Sequence, residues 1–269
     1  MAKGKLSFIG LGLYDESDLS MKALNTIQHA DYVFAEFYTS ILSGSTLEHL
    51  KTICNKEIII LNRKETEDAS ILLSKAENNH VAFLVGGDAL TATTHVDLRI
   101  RAIQQDIETS VIHGSSVVTA VPGLLGLQHY KFGRITTLVT PEKHYFPMSP
   151  YDVISENKKQ GLHSLVLLDI KAEENKFMTA KQGINLLWEM ENHKQKHVFS
   201  EQDIVCVVAR AGSPNPLVKA NTFSALKNEE FGAPLHTLVV PGSLHFMEIE
   251  ALKYLADLPE SIAQKLQKV

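Results

Sequence analysis

The stretch VAFLVGGDALTATTH, Val81–His95, decides how the rest of the chain is read. Val81–Val85 is an unbroken apolar run, the pattern of a strand buried on both faces. Gly86-Gly87-Asp88 breaks it. Thr91, Thr93 and Thr94 follow as helix openers, and the helix is predicted to continue through Asp97, Leu98 and Arg101. A strand, a Gly-rich turn and a helix start put backbone groups at the carboxyl end of a sheet, where open α/β folds bind ligands. The same residues also describe an ordinary βα turn, in which Gly supplies positive φ and Asp caps the helix.

Outward from this centre the pattern alternates. Strands are predicted at Lys5–Ile9, Asp31–Glu36, Glu57–Leu61 and Thr109–Ile112. Helices are predicted at Met21–His29, Ser45–Ile53, Thr66–Asn78 and Val117–Gln128, the last broken near Pro122-Gly123. Strict β-α alternation means a parallel sheet with helices on both faces. After His129–Arg134 the pattern restarts. Strands at Ile135–Thr140, Ser164–Asp169, Asp203–Ala209, Pro216–Ala220 and His236–Val240 are interleaved with helices at Tyr151–Gly161, Thr179–His193, Ser224–Glu229 and Leu244–Ala256, and further helical turns are expected in Ser261–Val269. The expected fold is α/β with two αβα domains, 1–133 with a mainly parallel sheet and 134–269 with a mixed sheet.

Bulk properties narrow the function. At 269 residues the chain is long enough for two α/β cores, and a net charge of −5 argues against nucleic acid as the main partner. No apolar run approaches the roughly 20 residues that span a bilayer, and the amino terminus enters a strand without the pattern of a signal peptide. Cys54 and Cys206 each lie in or near apolar sequence, which reads as two buried free thiols in a reducing, cytoplasmic compartment. Two cysteines without a histidine cluster do not make a zinc site, so no metal is expected.

No G-x-S-x-G elbow, P-loop or HExxH is present. Gly10-Leu11-Gly12-Leu13 is half of a dinucleotide fingerprint without its third Gly, and it would let either a ligand or another loop come close to the backbone. The chemistry-bearing features are small-residue loops that each follow a strand: Gly10–Leu13, Gly86–Thr91, Gly114–Val117 and Arg210–Ser213. The first three hold no basic residue, which suits a phosphate-free, cationic cofactor gripped largely by main-chain atoms. Asp88 and Asp169 end strands in different halves and are candidates for a shared cleft. The aromatic loop His144–Tyr151 is a candidate docking surface, with a domain or dimer contact as the alternative.

Seven blocks in order carry a resemblance: FIGLGLYDE (Phe8–Glu16), DYVFAEFYTS (Asp31–Ser40), GD-x-L-x-ATTH (Gly87–His95), HYKFG (His129–Gly133), LLDIKAE (Leu167–Glu173), ARAGS-x-NP (Ala209–Pro216) and VVPG-x-LH (Val239–His245). Together they resemble the diphthine synthase family, a tetrapyrrole-methylase-like (class III) group of S-adenosylmethionine-dependent methyltransferases, over almost the whole chain. The resemblance implies a homodimer with S-adenosylmethionine in the cleft between the domains. It implies repeated methylation of the amino group of a 3-amino-3-carboxypropyl-histidine on translation elongation factor 2, a step of diphthamide biosynthesis. Carried over block by block, the cofactor contacts fall on Leu13, Asp88, Thr91, Ser116, Val117, Leu168, Ala211 and His236. The chain departs from the family where prolines are usual, at Gly86, Ala89 and Ser115, which implies a weaker or more mobile cofactor site. A small-molecule methylase of the same fold and a non-catalytic cofactor-binding relative are the rival readings. The attacking amine must lose a proton; Glu36, Tyr38, His95 and Asp169 are candidates, none is assigned, and positioning is expected to dominate.

Overall fold

The computed structural model describes residues 4–143 and 145–267. They form two compact units. One holds the described residues up to Val117 together with Ile170–Lys176; the other holds Val118–Asp169 and the described residues from Phe177 onward.

The first unit runs β1 (Lys5–Gly10), α1 (Met21–His29), β2 (Tyr32–Glu36), α2 (Leu47–Cys54), β3 (Ile59–Leu61), α3 (Arg63–Asp68), α4 (Ser70–Ala76), β4 (His80–Val85), α5 (Val96–Gln104) and β5 (Glu108–Ile112). Its sheet is wholly parallel in the order β3-β2-β4-β1-β5. Successive residues of a strand point to opposite faces, and both faces are apolar here. Phe8, Phe83 and Val85 pack with Leu98 and Ala102 of α5, while Ile9, Ala82 and Leu84 pack with Ala23 and Ile27 of α1. The crossovers leaving the adjacent strands β1 and β4 therefore run to opposite faces. That places a topological switch point, the favoured ligand crevice of such sheets, at the carboxyl ends of these two strands.

The second unit takes most of α6 (Val117–Leu125) and then β6 (Thr136–Leu138), α7 (Ser149–Lys159) and β7 (Ser164–Leu168). In the chain a two-stranded hairpin follows, β8 (Ile170–Lys171) with β9 (Lys176–Phe177), which the sequence reading missed and which belongs to the first unit up to Lys176. Next come α8 (Ala180–Lys194), β10 (Ile204–Ala209), β11 (Leu217–Thr222), α9 (Phe223–Leu226), β12 (His236–Val240), α10 (Phe246–Leu255) and α11 (Glu260–Leu266). The sheet order is β11-β10-β12-β7-β6, mixed because only β6 and β7 are parallel. Tyr151 and Ile154 of α7 and Ile184 and Leu187 of α8 cover Val166, Val205, Val207 and Leu238.

The compact units divide at Val117–Val118, with Ile170–Lys176 in the first, where the sequence reading places a boundary near 133. The segment after α6 is held to α10: the Gln128 N–H donates to Glu248, and Gly126 packs so closely on Ala251 that a Cβ there would lie 2.5 Å from it. Three local expectations are corrected. The helix predicted over Thr66–Asn78 is two helices, because Ala69 adopts the left-handed conformation, φ 60°, between them. α6 runs through Pro122 without a break; proline lacks the N–H and its ring crowds the carbonyl four residues back, yet its own carbonyl accepts from the Leu127 N–H to finish the helix. α5 starts at Val96 rather than within Thr91–Thr94, since the Thr91 and Thr93 hydroxyls turn back to Asp88 and the Ala89 carbonyl.

Candidate functional site

In the first unit the small-residue turns after β1, β4 and β5 lock onto one another. Gly12 and Gly87 exchange N–H···O bonds of 3.1 and 2.7 Å, an isolated antiparallel bridge with φ of +87° and +72°. A Cβ on Gly10 would lie 2.5 Å from the Gly87 carbonyl oxygen and 2.6 Å from the Gly114 nitrogen. Real Cβ atoms do not come that close, so glycine is required for three backbones to meet. Of the two readings left open for Gly10–Leu13, close approach of another loop is the one realised.

This packing fixes the residues around the turns. Asp88 is nearly buried. Its Oδ1 accepts from the Leu90 N–H (3.2 Å) and the Thr91 hydroxyl (3.1 Å), and its Oδ2 faces His113 Nδ1 at 2.7 Å. Burial would raise the pKa of this carboxyl, but the His113, Leu90 and Thr91 hydrogen bonds together hold it below the usual value, so Asp88 is ionised at neutral pH. The N–H groups of Leu13 and Tyr14 both donate to Asp18 Oδ2, which shapes the first turn and leaves the Leu13 carbonyl unspent by that contact. Ser116 and Val117 sit where the third turn enters α6.

Gly86 explains one departure from the family pattern. A Cβ there would lie 2.9 Å from the Ser40 Cβ, so Ser40 occupies the space a larger residue would need. Ala89 is fully buried in the core beside Leu98.

Two strands away from β1, the end of β2 carries a buried pair. Glu36 accepts the Tyr38 and Thr39 N–H groups at 3.0 Å each, and also the Thr39 hydroxyl. His95 Nε2 lies 3.0 Å from Glu36 Oε1, with both side chains buried. The His95 ring stands edge-on to Phe83 and Tyr38. Burial, helped by the nearby charge of Glu36, pushes the Tyr38 hydroxyl up to about 12, and its oxygen is buried without a hydrogen-bond partner among the described residues. Glu36 is fully buried.

In the second unit, antiparallel pairing aligns three of the expected residues at one end of the sheet. His236 opens β12 opposite Ala209, the residue two before Ala211. Thr237 pairs with Leu167, so His236 continues the register opposite Leu168. The His236 imidazole is fully committed: Nδ1 accepts from the Ala180 N–H at 2.9 Å and Nε2 faces the Ala233 carbonyl at 2.9 Å. Burial holds its pKa below the usual value, and it stays neutral. Its ring therefore ties α8 to the loop before β12, and only main-chain atoms are left to meet a ligand. Asp169 is likewise engaged, accepting the Thr140 N–H at 2.9 Å.

The aromatic loop is less exposed than its composition suggests. Tyr151 is buried and donates to Glu191, and Phe146 and Met148 pack against the core; Tyr145 stands out at 59% exposure, and His144 lies outside the described residues. Among the described residues no group of three His, Cys, Asp or Glu side chains is placed to hold a metal, and no helix is long and apolar enough to cross a membrane.

The family model for Tetrapyrrole (Corrin/Porphyrin) Methylases matches residues 5–227. The chain is 44% identical over 257 residues to the diphthine synthase of Methanosphaera stadtmanae, covering 96% of this chain and 98% of that one. It is 47% identical over 261 residues to the diphthine synthase of Methanothermobacter thermautotrophicus, covering 97% and 99%. The chain belongs to the diphthine synthase family of tetrapyrrole methylases. A crystal structure of diphthine synthase superposes with a TM-score of 0.86 at 35% identity, covering 97% of this chain and 99% of that one. Membership of the family makes this chain an S-adenosylmethionine-dependent methyltransferase of diphthamide biosynthesis.

The glycines and Asp88 were legible beforehand. The Glu36–His95 pair was not: its members stand 59 positions apart, and only β2–β4 pairing brings them together.

Proposed function

We propose that this methyltransferase acts on translation elongation factor 2. In this reading it repeatedly methylates the amino group of a 3-amino-3-carboxypropyl-histidine, as a cytoplasmic homodimer. The observation that carries the reading is near-full-length identity to diphthine synthases on both the whole-chain and the structural comparison. Exposed apolar side chains on α10, among them Phe246, Met247 and Tyr254, suit a subunit contact.

The donor set fits S-adenosylmethionine. It lies at a switch point, has no basic side chain in the turns after β1 and β4, and presents an ionised Asp88 to a ligand that carries positive charge. Leu13, Asp88, Thr91, Ser116, Val117, Leu168, Ala211 and His236 are the residues that would hold it. When bound, it supplies an electrophilic methyl group on a sulfonium. Asp88 is held in one orientation by Leu90, Thr91 and His113, so its charge is in place before the ligand arrives. The interlocked Gly10, Gly12, Gly87 and Gly114 backbones keep the surrounding carbonyls from moving, which favours a fixed attack geometry.

Intact-mass analysis tests the reading. Elongation factor 2 carrying the 3-amino-3-carboxypropyl-histidine should gain successive methyl increments when incubated with enzyme and S-adenosylmethionine. An unchanged mass, with methyl transfer instead to a tetrapyrrole, would overturn it.

A further inference from the structure

A cavity of about 300 Å³ opens in the first unit beside the Asp88–Thr91 turn. It is lined by Tyr38 from the end of β2, Thr66 and Glu67 from α3, and Thr94, His95, Asp97, Leu98 and Arg101 around the start of α5. None of these belongs to the residues assigned to the methyl donor. Thr94 follows Thr91 by three residues, so the cavity wall begins within about 11 Å of a donor-binding position. Two of the lining groups are buried and short of partners. Among the described residues the Tyr38 hydroxyl has none. His95 is 2% exposed, and among the described residues the one hydrogen bond of its ring runs from Nε2 to Glu36.

The tautomer follows from the bonding. Glu36 accepts two N–H groups and one hydroxyl, so the carboxyl acts as an acceptor and His95 must donate from Nε2. Nδ1 then carries a lone pair. The arrangement is a base backed by a buried carboxylate, the pairing that stabilises an imidazolium once it forms. The charged groups around it are Glu36 from β2, Glu67 and Arg63 from α3, Asp97 and Arg101 from α5, and Glu173 from the β8–β9 hairpin, which accepts the Arg63 N–H. Arg101 is spent on the carbonyls of Glu67 and Asp68, and Arg63 lies over the Tyr38 ring. Arg63 also pairs with Glu67 at 3.6 Å and Arg101 with Asp97 at 3.7 Å; Glu36 and Glu173 leave the surround with an excess of negative charge, which suits a cationic guest.

We propose that this cavity receives the acceptor's ammonium group and that His95 Nδ1 takes the proton it must lose before methylation, with Glu36 as the positioning residue. The inference rests on the reading that the acceptor is an amine. One N–H bond of the ammonium breaks, its electron pair stays on nitrogen as the lone pair, and the proton forms an N–H bond at His95 Nδ1. The imidazolium, held against Glu36, returns the proton to water before the next round. Tyr38 keeps its own proton and supplies a hydroxyl to orient the amine. Three of the four residues first considered as bases thus act at one place; Asp169 does not line this cavity.

The test uses the full-length enzyme with elongation factor 2 carrying the 3-amino-3-carboxypropyl-histidine. In ¹⁵N-histidine-labelled enzyme without the donor, the His95 Nδ1 resonance, identified by its loss in His95→Gln, should shift when the acceptor protein is added, because Nδ1 then accepts a hydrogen bond from the ammonium. His95→Gln should bind S-adenosylmethionine within about twofold of the parent and methylate on the order of 100-fold more slowly, with a rate that climbs tenfold per pH unit through neutrality. Glu36→Gln should shift the acidic limb of the rate profile to lower pH, because the imidazolium loses its partner. Tyr38→Phe, which removes a hydroxyl that bonds to nothing among the described residues, should fold normally and raise the KM for the acceptor. A His95 resonance unmoved by bound acceptor, or His95→Gln and Tyr38→Phe kinetics within threefold of the parent at every pH, would overturn the proposal. Parent enzyme that transfers no methyl group to the acceptor protein would overturn the amine reading beneath it.

Discussion

Replacing Glu248 with glutamine should cost the second unit about 3 kcal/mol at neutral pH, with a cost that fades in acid. Glu248 is fully buried in the first turn of α10. It accepts the N–H of Gln128 (3.0 Å), the N–H of His245 (2.8 Å), His163 Nε2 (3.0 Å) and the Lys131 ammonium (2.5 Å). His163 Nδ1 accepts from the Gly242 N–H, so its single ring proton sits on Nε2 and points at the carboxylate. Burial alone would raise the pKa of Glu248. The bonds from His245, Lys131, Gln128 and His163 outweigh that and draw it from the ordinary 4.5 to about 2. At about 1.4 kcal/mol per pH unit, the difference is about 3 kcal/mol, in line with the roughly 3–5 kcal/mol lost when one partner of a buried ion pair is removed.

The direction with pH follows from linkage. The folded carboxyl binds its proton more weakly than the unfolded one, so its stabilisation is complete above about pH 5 and is lost as the pH falls toward 2. By pH 3 it should be less than half its neutral value. His163, whose pKa burial holds down, adds a further loss below about pH 6.5. Glu248 raises the His163 pKa against that burial, so the ring is held lower still in the variant and the difference between the two proteins carries this coupled part as well. Trp188, the only tryptophan, lies on α8 of the same unit, so urea unfolding followed by its fluorescence reads the right structure. Equal urea midpoints for parent and Glu248→Gln at pH 7, or a gap as wide at pH 3 as at pH 7, would refute the reasoning.

Three further outcomes are expected. Gly86→Ala should destabilise by about 1–3 kcal/mol through overpacking against Ser40, and Ser40→Gly should recover much of it in a double-mutant cycle; independent, additive effects would show that the contact is not the cause. Asp88→Asn should weaken S-adenosylmethionine binding on the order of tenfold or more, and titration calorimetry of the parent should show affinity falling in acid, because only the ionised carboxylate attracts the donor; unchanged affinity would remove Asp88 from the site. Cys54 and Cys206 are free and buried, burial pushing the Cys54 thiol up to about 11 and the Cys206 thiol higher still; a thiol reagent should label neither in the native protein and both after denaturation.

Much of the fold is written in short-range patterns. The apolar runs of β4 and β10 and the amphipathic spacing of α1 give their elements directly, because strand and helix periodicities differ and each local choice agrees with the layer it serves. The glycine turns were legible as turns. Their task was not, since a glycine that admits a ligand and one that admits another loop are identical in sequence; the Gly12–Gly87 bridge settles that by pairing the turns. The left-handed Ala69 and the passage of α6 through Pro122 run against propensity, and packing decides them. His236 could be named from the block it opens, but that its ring is consumed by Ala180 and Ala233 depends on where α8 lies. The Glu36–His95 pair, the cavity beside it and the buried contacts of Glu248 exist only once distant strands are in register. Sequence fixes which residues can form strands and turns because those preferences act over a few bonds. The charged and titratable groups acquire their roles from neighbours far away in the chain, and only the tertiary structure supplies those.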